Sequence, residues 1–298
     1  MSNAEPRFGR LITAMVTPFN DERELDLDRA QALATRLIEG GNDSLIINGT
    51  TGESPTVFYP QKIELFRAVV EAVGGKASVI ANVGDNCTAD TVDFAKDVAK
   101  LGVDGFMCVV PYYNKPPQEG MYQHFKTIAN AVELPIILYN IPGRCVVNME
   151  AETTLRLAND CENVIAVKEA SGKMDQIATI AAAAPEGFSV YSGDDSATYD
   201  IMRLGGAGVI STTGNVAPER MKELVTKCAE GKWDEAWAAH EALLPLMNGL
   251  FETSNPILVK EALKLVGFPV GGVRLPLIDA TAEQSARLAS IMREGGVL

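Results

Sequence analysis

The chain predicts an α/β fold: a (β/α)8 barrel followed by a C-terminal helical extension. Three observations carry that expectation. Short runs that are apolar throughout recur eight times, helix-like segments separate them, and after about residue 215 the apolar runs stop while the helical segments continue. Strands without polar alternation belong in a parallel sheet covered by helices. Eight strand–helix repeats favour a closed barrel over an open, doubly wound sheet.

The apolar runs are LITAMVT (11–17), SLIIN (44–48), SVIANV (78–83), GFMCVV (105–110), PIILYN (135–140), VIAVK (164–168), FSVYSG (188–193) and GVISTT (208–213). The segment DLDRAQALATRLIEGG shows how the helices are marked. Asp26 or Asp28 can cap its start, Ala30, Leu33, Ala34, Leu37 and Ile38 form one stripe, and Gly40–Gly41 end it. A Leu-Gly stop recurs at Leu101–Gly102 and Leu204–Gly205. The expected division is a catalytic barrel over residues 1–220 and a helical region over 221–298 packed on it, with no low-complexity linker. The opening MSNA is set aside from the fold reading.

Composition narrows the function. The 298 residues are 47% hydrophobic and 22% charged, and 26 basic against 39 acidic residues give a net charge of −13. That field repels nucleic acid and anionic membranes, so neither is an expected partner, and an anionic substrate needs local positive charge. The five cysteines are odd in number and form no CxxC pair, which argues against a disulfide framework or zinc cluster and for a reducing cytoplasm. The N-terminus shows no signal-peptide pattern, and no apolar run approaches the roughly 20 residues of a membrane span.

Barrel active sites lie at the C-terminal ends of the strands. In this chain those ends carry Asn48-Gly49-Thr50-Thr51-Gly52-Glu53, Pro111-Tyr112-Tyr113-Asn114, Tyr139-Asn140-Ile141-Pro142-Gly143-Arg144, Lys168 and Ser192-Gly193-Asp194-Asp195. Two threonines, two or three tyrosines, an arginine and a lysine are therefore expected at one mouth. Each has a blander reading: a turn, a packed ring with a wet hydroxyl, a surface guanidinium, a solvated strand-end amine. GDD reads as a helix cap rather than a metal site. RLGGAGVI precedes a strand, the wrong order for a dinucleotide fingerprint. His124 and His240 fall in helical segments, away from any triad. Lys168 is the exception, because a lysine ending a buried strand can be held neutral as a nucleophile toward a carbonyl.

GTTGES (49–54), PYYNKPPQEGMYQHF (111–125), LYNIPGR (138–144), VKEASG (167–172) and YSGDD (191–195), with NPILVK and VRLPL further on, resemble the dihydrodipicolinate synthase family. That family belongs to the pyruvate-dependent class I aldolases, with N-acetylneuraminate lyase. The resemblance spans essentially the whole chain. It implies a TIM barrel, usually a homotetramer built as a dimer of dimers, and no cofactor or metal. Lys168 would form a Schiff base with pyruvate, and the enamine would attack L-aspartate 4-semialdehyde to give 4-hydroxy-tetrahydrodipicolinate, the entry to diaminopimelate and lysine. Tyr139 would move protons, connected through Thr50 to a Tyr113 from the neighbouring subunit. Thr50 and Thr51 would hold the pyruvate carboxylate, Gly193 and Ile210 would line the cavity, and Arg144 would take the second carboxylate. Arg144 speaks against the alternative of a retro-aldolase for 2-keto-3-deoxy sugar acids or sialic acid. The intact catalytic set speaks against a silent keto-acid-binding regulatory barrel. The positions matching the family's lysine-feedback site are Ser54, Pro55, Tyr59, Lys62, Asn86, Asp90 and Tyr112. Lys62 would set a third ammonium beside a ligand that already carries two, and weaken feedback.

Overall fold

Eight parallel strands close on themselves: β1 (Leu11–Ala14), β2 (Ser44–Ile47), β3 (Ser78–Asn82), β4 (Gly105–Val109), β5 (Ile136–Asn140), β6 (Val164–Glu169), β7 (Ser189–Ser192) and β8 (Gly208–Ser211), with β8 pairing back to β1. The computed structural model describes residues 5–298, so the opening MSNA lies outside the described residues. The first apolar run continues past β1. Met15 N–H still donates to the Ile46 carbonyl at 3.0 Å, and after it the backbone leaves the ladder, with Val16 donating to the Asn215 side chain at 3.1 Å. β6 runs one residue beyond Lys168, because Glu169 pairs with both Asn140 and Ser192.

Side-chain alternation splits the apolar residues into two layers. Ile12, Ile46, Ile80, Met107, Ile137, Tyr139, Ala166, Tyr191 and Ile210 fill the barrel interior. Leu11, Leu45, Val79, Phe106, Leu138, Val167 and Val190 face outward into the larger layer beneath the helices. Residues two apart share a face. Lys168 therefore follows Ala166 into the barrel while Glu169 follows Val167 outward.

Helix Leu27–Glu39 begins where Asp26 accepts from the Arg29 N–H at 2.9 Å, and Gly41 takes the left-handed φ of +98° as the chain turns back. The eighth outer helix, Pro218–Ala229, follows β8, packs against β1 and straddles the expected boundary at 220. Beyond it come Trp233–Gly249, Ile257–Leu265 and Ala282–Glu294. Among the described residues no helix is long and apolar enough to cross a membrane.

Candidate active site

Lys168 lies at the C-terminal end of β6, 7% exposed, in register with Tyr139 on β5 and Tyr191 on β7. Its Nζ stands 4.4 Å from the centroid of the Tyr139 ring and forms no ion pair or hydrogen bond with the described residues. Desolvation lowers its pKa to about 8, and Arg144 lowers it too, while Asp195 and Asp194 oppose. A free lysine near 10.5 has about one neutral amine in several thousand at neutral pH; at about 8 the share is about one in ten.

Tyr139 is buried beside it. Burial pushes the phenol up to about 12, against the pull of Arg144 and the Thr50 hydroxyl, so it stays protonated at neutral pH. Thr50, Tyr139, Ile141, Arg144 and Cys145 line a mouth cavity of about 250 Å³ together with Asn82, Val109 and Tyr112. The short helix Pro142–Cys145 carries Arg144 over this cavity. On the far side, Thr51 is buried with its Oγ1 3.5 Å from that of Thr212. Among the described residues nothing accepts from the backbone N–H of Thr50 or Thr51. Successive N–H groups without a protein acceptor are the kind of donors from which anion cradles are built. Ile210 is buried in the interior, and Gly193 donates to the Glu169 carbonyl at 2.8 Å. A Cβ on Gly193 would stand 2.7 Å from that of Ala170, so the close approach requires glycine.

Tyr112 and Tyr139 are the two tyrosines at the mouth, and Tyr113 stays outside it. It is 89% exposed, with a left-handed φ of +72°, and does not line the mouth of its own chain. Its loop leaves the barrel rim: Asn86 Nδ2 donates to the Tyr112 carbonyl at 3.0 Å and Asn114 Nδ2 to the Asn86 carbonyl at 2.8 Å, which turns the neighbouring ring outward. Ser54, Tyr59, Lys62 and Asp90 line a second cavity of about 350 Å³ with Asp85, Asp93 and Phe94. Pro55 and Tyr112 line the mouth cavity instead, and Asn86 is tied to the Tyr112 backbone. Ser54, Lys62 and Asp85 border both cavities, and Asp85 accepts from the Tyr112 hydroxyl at 3.1 Å.

Sequence reasoning missed three buried polar groups around the mouth. Asp194 does cap the turn that follows, accepting from the Ser196 N–H. Asp195 instead points inward, where one oxygen accepts from Thr212 N at 3.0 Å, Thr213 N at 2.8 Å and Thr213 Oγ1 at 2.9 Å. The signal was available, since two adjacent aspartates cannot both cap one turn. Glu169, directly behind Lys168, accepts from Asn140 Nδ2 at 3.0 Å, directly behind Tyr139; strand alternation predicts that pair. Glu53, with a left-handed φ of +55°, meets Lys260 of the C-terminal region at 2.6 Å, both side chains buried. Nothing local announces that contact.

A family model described as the dihydrodipicolinate synthetase family matches residues 7–294. A relative from Moorella thermoacetica, 4-hydroxy-tetrahydrodipicolinate synthase, is 53% identical over 98% of this chain and 100% of its own. The solved structure of the Cyanidioschyzon merolae enzyme with lysine bound superposes with a TM-score of 0.97 at 46% identity, covering 99% of this chain and 100% of that one. The chloride-inhibited dihydrodipicolinate synthase from Acinetobacter baumannii, complexed with pyruvate, superposes with a TM-score of 0.95 at 35% identity, covering 98% and 100%. With a closed eight-stranded barrel, a desolvated lysine at its mouth and family similarity from end to end, the chain belongs to the dihydrodipicolinate synthetase family.

Proposed function

We propose that the chain catalyses the 4-hydroxy-tetrahydrodipicolinate synthase reaction, joining pyruvate to L-aspartate 4-semialdehyde through a Schiff base on Lys168. The observation that carries the reading is the buried, unpaired Lys168 amine with its pKa lowered to about 8. A neutral amine adds its lone pair to the pyruvate ketone, and the carbinolamine loses water to leave an iminium. That departure needs a proton on the leaving oxygen, which the protonated Tyr139 phenol is suited to deliver. The free N–H groups of Thr50 and Thr51 suit the pyruvate carboxylate. The iminium withdraws electrons from the methyl carbon, which loses a proton to form the enamine and then attacks the aldehyde. The amine of the second substrate then closes the ring and displaces Lys168. The Arg144 guanidinium fork suits that substrate's carboxylate.

Tyr113 serves a neighbouring subunit in this reading, which is why it lies exposed in its own chain. The working form is then an oligomer, a homotetramer in keeping with the family, acting in the cytoplasm. A monomer with full activity would remove Tyr113 from the mechanism.

Borohydride reduction in the presence of pyruvate tests the chemistry. One pyruvate-derived mass per chain is expected, on Lys168. Labelling at another lysine, or none on active protein, overturns the assignment. Product formation from pyruvate and L-aspartate 4-semialdehyde separates the synthase from a sugar-acid aldolase.

A further inference from the structure

The C-terminal region reaches the candidate site with buried polar groups. Asn255, just before helix Ile257–Leu265, is 7% exposed, and its Nδ2 donates to the Thr51 Oγ1 at 2.9 Å. The Oδ1 of the same amide has no partner among the described residues. A hydroxyl has one proton and two lone pairs. The Asn255 N–H occupies one lone pair of Thr51, so the Thr51 proton is left to donate elsewhere. Among the described residues its one remaining hydroxyl neighbour is Thr212 Oγ1, at the long distance of 3.5 Å. That proton is available to an anion lodged at the free N–H groups of Thr50 and Thr51.

The segment carrying Asn255 is fastened to the same loop a second time. Lys260 Nζ lies 2.6 Å from Glu53 Oε1 and donates to the Gly272 carbonyl at 2.8 Å, while Glu53 Oε2 accepts from Arg274 N at 2.9 Å. Thr51 and Glu53 are thus both held by residues some two hundred positions away, which keeps Asn255 in place against Thr51.

We propose that Asn255 is a positioning residue for pyruvate. By donating to Thr51 it fixes the Thr51 hydroxyl as a donor to the substrate carboxylate, so the C-terminal region sets the pyruvate affinity of a site otherwise built by the barrel. The proposal rests on the functional reading above, which lodges pyruvate at the Thr50–Thr51 turn. An amide turned the other way would draw the Thr51 proton to itself and aim a lone pair at the carboxylate.

The experiment measures the pyruvate concentration that half-saturates adduct formation on Lys168, with steady-state kcat and the half-saturating aldehyde concentration alongside. Asn255→Ala should raise half-saturating pyruvate about 3–10-fold, the weight of one hydrogen bond, with the two aldehyde-side parameters changed less than about twofold. Asn255→Asp keeps the shape but can only accept; it should raise half-saturating pyruvate further, and it carries the comparison if the alanine variant folds poorly. In a Thr51→Val background, Asn255→Ala should add nothing, because its effect passes through that hydroxyl. An unchanged pyruvate requirement in Asn255→Ala, or the same fold loss with and without the Thr51 hydroxyl, overturns the proposal. If the unaltered protein forms no adduct, the functional reading itself fails. An adduct-forming protein indifferent to Asn255 refutes this inference alone.

Discussion

Lys168 and Lys260 are both withdrawn from water, and burial lowers both pKa values to about 8. Their surroundings give that shared fact opposite meanings. Lys260 has the Glu53 carboxylate at 2.6 Å, the Gly272 carbonyl at 2.8 Å and the Phe19 ring centroid at 4.2 Å. Losing its proton would leave a buried carboxylate without its cation, so the pair holds Lys260 charged. Lys168 has the Tyr139 ring and, among the described residues, no hydrogen-bond acceptor, with Asp195 acting on it as a neighbouring charge. Releasing its proton breaks no hydrogen bond or ion pair among the described residues. Burial shifts both amines, and the presence or absence of a partner decides which becomes a clamp and which a nucleophile.

Replacing each lysine should separate the two roles with the largest effects. Lys168→Ala should lose essentially all turnover, because the other lysine bordering the mouth, Lys62, is not the amine set against the Tyr139 ring, while its thermal midpoint stays level or rises once a desolvated amine is removed. Lys260→Met should do the reverse. Breaking one side of a buried pair costs about 3–5 kcal/mol, read as a lower denaturant midpoint, whereas the folded fraction should still take the pyruvate adduct on Lys168. Adding Glu53→Gln to Lys260→Met should recover part of that loss. Equal destabilisation by Lys168→Ala and Lys260→Met would break the contrast.

Arg144 supplies the next effect. Its charge helps keep Lys168 neutral, and its fork borders the mouth. A hydrogen bond to a charged group is worth about 1.5–3 kcal/mol, so Arg144→Ala should lower kcat/KM for L-aspartate 4-semialdehyde by about 10–150-fold. Pyruvate adduct formation should survive. Equal damage to both half-reactions would move Arg144 from the second substrate to the first.

How far these groups could be read from the chain depends on how local their causes are. Strand positions follow from apolar runs, and the inward aim of Lys168 follows from its spacing to Ala166. The outward pair Asn140 and Glu169 obeys the same alternation. The Glu53–Lys260 pair and the Asn255–Thr51 bond join residues more than two hundred positions apart, and no periodicity encodes them. The boundary of the barrel is similarly obscured, since Pro218–Ala229 and the later helices Ile257–Leu265 and Ala282–Glu294 are all amphipathic. Tyr113 is legible as a motif residue, but the direction of its loop depends on the side-chain-to-backbone bonds of Asn86 and Asn114.

The pH dependence of adduct formation sharpens the comparison further. Lys168 must be neutral to attack, so the rate at fixed pyruvate should climb as pH rises and level off above an inflection near 8. Asp195 favours the ammonium and Arg144 disfavours it. Asp195→Asn should therefore move the inflection lower, and Arg144→Ala should move it higher. Asparagine can still accept from Thr212 and Thr213 through its carbonyl oxygen, so the turn should persist. An inflection at the ordinary lysine value would mean that burial does not tune this amine.

Lys62 is a third lysine, intermediate between the other two, and it should give the smallest effect. Its pKa is lowered by burial and pulled back up by Asp85, and its Nζ lies 5.6 Å from the Phe94 ring centroid. The cavity it lines also holds Asp85, Asp90 and Asp93, carboxylates that suit a cationic ligand. L-Lysine brings two ammonium groups, and Lys62 would add a third. Like charges at about 4 Å repel by roughly 1 kcal/mol in water and about 4 kcal/mol at an effective dielectric near 20. The three aspartates offset part of that, so the penalty should fall toward the lower figure. The expected outcome is weak feedback, with half-maximal inhibition by L-lysine above about 1 mM, equivalent to roughly 4 kcal/mol of binding. Lys62→Met removes the cation and keeps much of the length, so it should lower that concentration by about 5–10-fold, or roughly 1–1.4 kcal/mol. Initial rates against L-lysine concentration at neutral pH decide it. Inhibition well below 1 mM in the unaltered protein, or no tightening in Lys62→Met, would show that the aspartates neutralise Lys62 as fully as Glu53 neutralises Lys260.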